Sequence, residues 1–140
     1  MTTAIDTNVI VALWDKDPVA TSAARTALET AFRRGNLVAA APVFAELIAA
    51  PGRSEDFVGA FFEETGIAID WELGERVWRS AGNALRTYVE RRRKHRDFGA
   101  RRILADFLIG AHAVEHDYQL LTADVHPYRA AFPTLKIETI

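Results

Sequence analysis

Apolar positions along the 140-residue chain alternate between short runs of strand type and longer stretches of helical spacing. Thr3 to Ile5 make a very short apolar strand that stops at Asp6, and Val9, Ile10, Leu13 and Trp14 then recur three and four residues apart. A strand-to-helix turn is therefore predicted at Asp6. Pro18 opens a second helix over about 18–34, and Gly35 offers it the left-handed freedom of a C-terminal cap. Leu37 to Ala41 read as a small buried strand. Pro42 starts a helix carrying Val43, Phe44, Glu46, Leu47 and Ile48, which Pro51-Gly52 stops. A fourth helix follows Ser54 as N-cap and ends at Gly66, after which Ile67 to Ile69 form a strand closed by Asp70. A long helix covers about 72–93, with Leu73, Val77, Ala81, Ala84, Leu85 and Tyr88 on its apolar face. Ile103, Phe107, Gly110, Ala111 and Val114 repeat at helical intervals, Gln119 to Thr122 look like a strand, and Leu135 to Glu138 like a last one.

Strands alternating with helices favour an α/β domain of three layers with a mainly parallel sheet, because parallel neighbours need crossover helices. Length sets one domain over residues 1–140, since a chain of this size buries roughly 70% of its unfolded surface in a single core. The absence of cysteine excludes a thiol nucleophile, a cysteine zinc site and a disulfide scaffold, and makes the cytoplasm the expected compartment. The N-terminus has no basic leader and no apolar run approaches a membrane span, so secretion and spanning are disfavoured.

The formal net charge of -2 hides an asymmetry. Between Arg86 and Arg102 stand eight cations, including Arg91, Arg92, Arg93, Arg101 and Arg102, against two acids, while the rest of the chain is acidic. Such a stretch can dock an anionic partner, or it can simply be a solvated helix end where cations complement the macrodipole.

Ligands of open α/β sheets sit beyond the carboxyl ends of the strands, which gives weight to acids there. Asp6 follows the first strand and Asp124 follows the strand ending in Thr122. Glu46 and Asp106 are single acids among apolar helical residues, where acids rarely sit unpaired. Each has a purely structural explanation. Asp6 can N-cap the first helix, Asp106 can cap a helix starting at Phe107, Glu46 can lie on an exposed stripe, and Asp124 can shape a turn before Pro127. Together they are harder to dismiss, because four carboxylates converging on one crevice repel one another unless a cation sits among them. Oxygen donors without cysteine suit Mg²⁺ or Mn²⁺ better than zinc.

The order Asp6-Thr7-Asn8-Val9-Ile10, then Glu46, then Asp106-Phe107-Leu108-Ile109-Gly110-Ala111, then Leu120-Leu121-Thr122-Ala123-Asp124 resembles the PIN-domain nucleases, and more narrowly the VapC toxins of bacterial toxin-antitoxin modules. The resemblance implies a metal-dependent endoribonuclease in which Asp6, Glu46, Asp106 and Asp124 line the metal site, supported by hydrogen bonds from Asn8 and Thr122. It further implies an RNA substrate, a homodimer and a VapB-like antitoxin that silences the enzyme. The Arg-rich 91–102 segment and His112 depart from the pattern. Residues Arg91, Arg92, Arg93, Arg101 and Arg102 are the expected phosphate contacts, since an acidic crevice alone would repel RNA.

Four other readings compete. A housekeeping PIN-type RNA-processing nuclease would share every acid. His112-Ala113-Val114-Glu115-His116 spells H-x-x-E-H, a zinc-hydrolase signature, although only 24 residues remain after it for a third ligand. A phosphoaspartate enzyme or receiver domain lacks its further residues, a second Asp where Asn8 stands or a late sheet lysine, and a binding module that keeps the fold has no need of all four acids.

Overall fold

A computed structural model of the chain describes residues 1–95 and 104–140. Arg101, Arg102 and Ile103 lie outside the described residues. The elements run β1 (Thr2–Ile5), α1 (Thr7–Leu13), α2 (Pro18–Arg34), β2 (Asn36–Ala40), α3 (Ala41–Ala49), α4 (Glu55–Thr65), β3 (Ala68–Asp70), α5 (Glu75–Lys94), α6 (Leu104–Glu115), β4 (Gln119–Thr122), α7 (His126–Ala131) and β5 (Ile137–Thr139). The five strands form one sheet in the order β3-β2-β1-β4-β5, every pair parallel. No helix among the described residues is long and apolar enough to cross a membrane.

Strand order locates the functional edge. The chain builds outward from β1 to β2 and β3, then returns to the other side of β1 to lay down β4 and β5. The direction of winding therefore reverses between β1 and β4, and crossover helices leaving these two strands must diverge, opening a crevice at their carboxyl ends. Asp6 and Asp124 both stand at that edge, as the sequence predicts.

Helix α6 is the buried centre. Its residues Phe107 to Ala113 are all buried, and it packs on α5, α7, α3, β2 and β4. A helix apolar all round belongs inside a fold. The fully buried side chains Ile10, Leu47, Ile109, Leu120 and Leu121 anchor the core around it, each stabilising the fold by ~1.5–3 kcal/mol.

Several local expectations shift. Helix α5 begins at Glu75, three residues later than the apolar pattern predicts, because the chain first turns at Gly74 while Leu73 is buried ahead of the helix. Gly35 does end α2, but with φ 159° and ψ -150° instead of a left-handed conformation. What requires glycine there is Met1, whose carbonyl oxygen lies 1.8 Å from where a Cβ would stand. Asp106 sits inside the first turn of α6 and does not cap a helix starting at Phe107. Helix α7 is absent from the sequence reading altogether. It is six residues long, too short for periodicity to register, and is started by Pro127 near its N-terminus.

Helices α6 and α7 approach so closely that Gly110 has no substitute. A Cβ there would lie 2.4 Å from Phe132 Cε2 and 3.1 Å from Tyr128 Cδ1, both rings being buried. Gly110→Ala is expected to push α7 outward and destabilise the chain by ~1–3 kcal/mol, visible as a lowered urea midpoint. A midpoint equal to that of the native chain would mean that α7 is not held in this way.

Candidate active site

Asp6 is 5% exposed, at the junction of β1 and α1. Its backbone N–H continues the sheet by donating to Leu121 in β4 at 3.0 Å. One carboxylate oxygen, Oδ1, accepts from the Thr7 N–H at 2.7 Å and so caps α1. The other, Oδ2, accepts from the Thr122 hydroxyl at 2.8 Å and from the Tyr128 hydroxyl at 2.7 Å. The capping role and a functional role are thus compatible, since different oxygens serve them.

Around this carboxylate the supporting groups interlock. Thr122, whose hydroxyl donates to Asp6, accepts from Asn8 Nδ2 at 3.1 Å and from the Asp124 N–H at 3.1 Å. Asn8 Oδ1 in turn accepts from the Ala123 N–H at 2.9 Å. Asn8 therefore clamps the turn after β4 through both ends of its amide. Asp124 is exposed, and its Oδ1 accepts from the His126 N–H at 3.1 Å, turning the chain into α7. Glu46 is half-buried on α3 and accepts from the Thr7 hydroxyl at 2.6 Å, so it does not lie on an exposed stripe. Asp106 is half-buried on α6.

The charges of the acids act on two buried groups, Asp124 on Asp6, and Asp6, Asp106 and Glu46 on Tyr128. Burial pushes the Asp6 carboxyl above its ordinary value, opposed by the donors Tyr128, Thr122 and Thr7, with the charge of Asp124 pushing further upward. Burial likewise drives the Tyr128 hydroxyl far above the usual tyrosine range, reinforced by the negative charges of Asp6, Asp106 and Glu46. Tyr128 is consequently a permanent donor. Among the described residues no Lys, Arg or His side chain forms an ion pair with Asp6, Glu46 or Asp124. Nor do any three Asp, Glu or His side chains among the described residues stand close enough to hold an ion between them. The acids share a field more than a point, with Glu46 drawn to Thr7 and Asp124 to the His126 amide. In chemistry the donors fit a hard divalent cation, being oxygens only, carboxylates, and partly withdrawn from solvent.

Tyr128 and Thr7 are the residues that sequence reasoning missed. Tyr128 lies four residues beyond Asp124 on a helix announced only by Pro127, and Thr7 is inconspicuous beside Asp6.

The H-x-x-E-H match does not build a zinc site. His112 is wholly buried, with Nε2 3.0 Å from Asp70 Oδ2, and its Nδ1 is buried without a hydrogen-bond partner among the described residues. His116 Nδ1 lies 2.8 Å from the His112 carbonyl and its ring stacks on Tyr118, while Glu115 pairs with Arg76 at 3.0 Å. Of the basic stretch, Arg91 and Arg92 line a groove between α5 and α7, but Arg93 does not. Arg92 rests on the Tyr88 ring and reaches its hydroxyl at 3.2 Å.

The parallel sheet whose winding reverses at a buried carboxylate agrees with the class that the sequence itself shows. The chain belongs to the PIN domain family, which it matches over residues 3–133. PIN domains are nucleases that generally use divalent metals. No curated protein matches the sequence. Among solved structures the fold is similar to VapBC2 from Rickettsia felis bound to a DNA fragment from their promoter, at 20% identity and a TM-score of 0.70, covering 99% of this chain and 98% of that one. It is also similar to VapBC-1 from nontypeable Haemophilus influenzae, at 17% identity and a TM-score of 0.69, with the same coverage. FitAcB from Neisseria gonorrhoeae shares the fold at 20% identity and a TM-score of 0.58, covering 96% of this chain and 95% of that one.

Two outcomes test the arrangement. Tyr128→Phe keeps the ring and removes one donor from a carboxylate that retains two others, so a loss of about 1–2 kcal/mol is expected in urea unfolding. An unaltered stability would show that the hydroxyl does not hold Asp6. Burial pushes the His112 imidazole below its ordinary value, with Asp70 opposing, so the unfolded chain binds a proton that the folded one resists. Stability from this residue is whole above about pH 6.5 and declines as pH falls below it. His112→Gln should flatten that decline, and an unchanged slope in the variant would assign the titration to another group.

Proposed function

We propose that this chain is a metal-dependent endoribonuclease, hydrolysing RNA phosphodiester bonds with Asp6, Glu46, Asp106 and Asp124 as its metal-holding acids. The observation that supports this reading is Asp6 itself, a buried carboxylate at the winding reversal held by hydrogen bonds from Thr7, Thr122 and Tyr128, with Glu46 tied to the same Thr7. Mg²⁺ or Mn²⁺, when bound, supplies a Lewis acid that activates water and offsets charge on the leaving oxygen. The protein's share is orientation. Tyr128 and Thr122 fix Asp6 Oδ2, Thr7 fixes both Asp6 and Glu46, and Asn8 keeps the Thr122–Asp124 turn in register. None of these groups needs to surrender a proton for that task, because the tyrosine stays protonated and the threonines do not titrate.

The VapBC neighbours are toxin-antitoxin complexes. They support the further reading that this chain is the toxin of such a pair, acting in the cytoplasm as a homodimer and held inactive by a VapB-like partner. The zinc-hydrolase alternative has no supporting geometry, given the partners of His112 and Glu115.

Asp6→Asn and Asp106→Asn should each lower RNA cleavage by about two orders of magnitude or more while leaving the circular dichroism spectrum intact. Full activity in either variant would reject the assignment. Mg²⁺ should raise the melting temperature of the native chain by several degrees and that of Asp6→Asn by much less, a readout independent of turnover. Expression of the native chain should arrest growth, and co-expression of a small adjacent open reading frame should relieve it. Growth unaffected by an active enzyme would favour housekeeping RNA processing.

A further inference from the structure

A groove of about 760 Å³ runs between α5 and α7, beside the acids and distinct from them. One wall is a polar stripe along α5. Arg76, Arg79, Asn83, Thr87 and Arg91 recur at intervals of three and four residues, all exposed and all lining the groove. At 1.5 Å of rise per residue the stripe from Arg76 to Arg91 is ~22 Å long. The opposite wall is α7, whose two sides have different tasks: Tyr128 reaches Asp6, whereas His126, Pro127, Ala130 and Ala131 line the groove. His126 joins the two regions, since its N–H donates to the Asp124 carboxylate and its residue also lines the groove.

The charges along this stripe are available to a ligand. Arg76 pairs with Glu115 at 3.0 Å and Arg79 with Glu75 at 3.2 Å, but both arginines are more than 70% exposed. Exposed pairs of this kind contribute ~0–1 kcal/mol and are readily exchanged for a phosphate, which guanidinium binds through two parallel hydrogen bonds. The cations are too many for the helix-end explanation. The macrodipole favours them only in the last turn, yet Arg76 and Arg79 stand in the first turns, where it disfavours them. Toward its floor lie Phe107, which is buried, and Tyr88, which is half-buried with the Arg92 guanidinium over its ring.

We propose that this groove carries the sugar-phosphate backbone of the substrate RNA to the acid site, with Arg76, Arg79 and Arg91 as its phosphate contacts and His126 at the point of entry. The proposal rests on the endoribonuclease reading above and specifies where its substrate lies. It departs from the run of consecutive cations as the binding feature: position on the groove face decides, so Arg79, outside that run, binds, and Arg93, inside it, does not. Contacts made by guanidinium groups to phosphates make this part of the binding tolerant of sequence.

The test uses the full chain carrying Asp106→Asn, a random-sequence single-stranded RNA oligonucleotide, and fluorescence anisotropy between about 50 and 200 mM KCl. Arg79→Gln with Arg91→Gln is expected to weaken binding about tenfold or more at the low-salt end and to reduce the slope of log K against log salt by about 1.4, the value for two lost phosphate contacts on a single strand. Arg79→Lys with Arg91→Lys keeps the charge and should keep the slope. Arg93→Gln, and Arg25→Gln with Arg33→Gln on α2, should leave it unchanged. A native slope in the Arg79/Arg91 glutamine variant would overturn the proposal, as would an equal loss from Arg93→Gln. Failure of the underlying reading looks different: the native chain with Mg²⁺ would then cleave no RNA at all.

Discussion

Asp6 is a carboxylate held out of water at the point where the sheet reverses its winding, and the rest of the site is arranged around the cost of keeping it there. An ionised carboxylate loses several kcal/mol of hydration on burial unless hydrogen bonds replace the water. Here three donors do so, from α1, β4 and α7. Each comes from a different segment, so the charge that is expensive to bury also ties three elements to the end of β1. The same burial leaves the carboxyl pushed upward, with Asp124 adding to the pressure. Such a group gains from a nearby cation more than an exposed acid would, so the upward push on Asp6 and the proposed hard-metal site would share one cause.

What was legible in the sequence follows from how each signal is encoded. The α/β alternation, Asp6 at a strand end and Ser54 as a helix cap are local, and local patterning recovered them. Ser54 indeed accepts from the Phe57 N–H at 3.1 Å. Glu46 and Asp106 stand out in the sequence because each breaks an apolar context, Asp6 and Asp124 because each follows a strand. Tyr128 was not, because a tyrosine in a short, alanine-containing segment breaks nothing: its importance lies in reaching Asp6 from 122 residues away. Thr7 is hidden for a similar reason, its hydroxyl meeting Glu46 across 39 residues. His112 shows the opposite failure. Its motif was conspicuous, but a spacing of four residues on a buried helix serves packing and the Asp70 contact as readily as it serves zinc.

The distribution of charge resolves a conflict intrinsic to a nuclease with an acidic centre. Carboxylates that attract a divalent ion also repel the polyanion to be cut, and at physiological salt the two fields are separable only over about 8 Å. With the proposed groove, cations on α5 would attract an anionic strand on one side of α7 while Asp6, which Tyr128 reaches, lies on the other. A sequence stretch of surplus charge does not reveal this, since consecutive residues on a helix point in different directions. Arg91 and Arg93 are two residues apart and belong to different surfaces.

Helix α7 is where these demands meet. It is only six residues long and could not hold its position by intrinsic helicity, for isolated helices need roughly twice that length even to be marginal. Its position is therefore imposed from outside. Gly110 lets Tyr128 and Phe132 press directly on α6, and the Asp124 carboxylate accepts the His126 N–H at its start. From that fixed position one side of α7 donates to Asp6 and the other walls the cationic groove. A single misplacement would disturb both, so the close α6–α7 contact couples the geometry of the acids to the path by which an anionic strand would reach them.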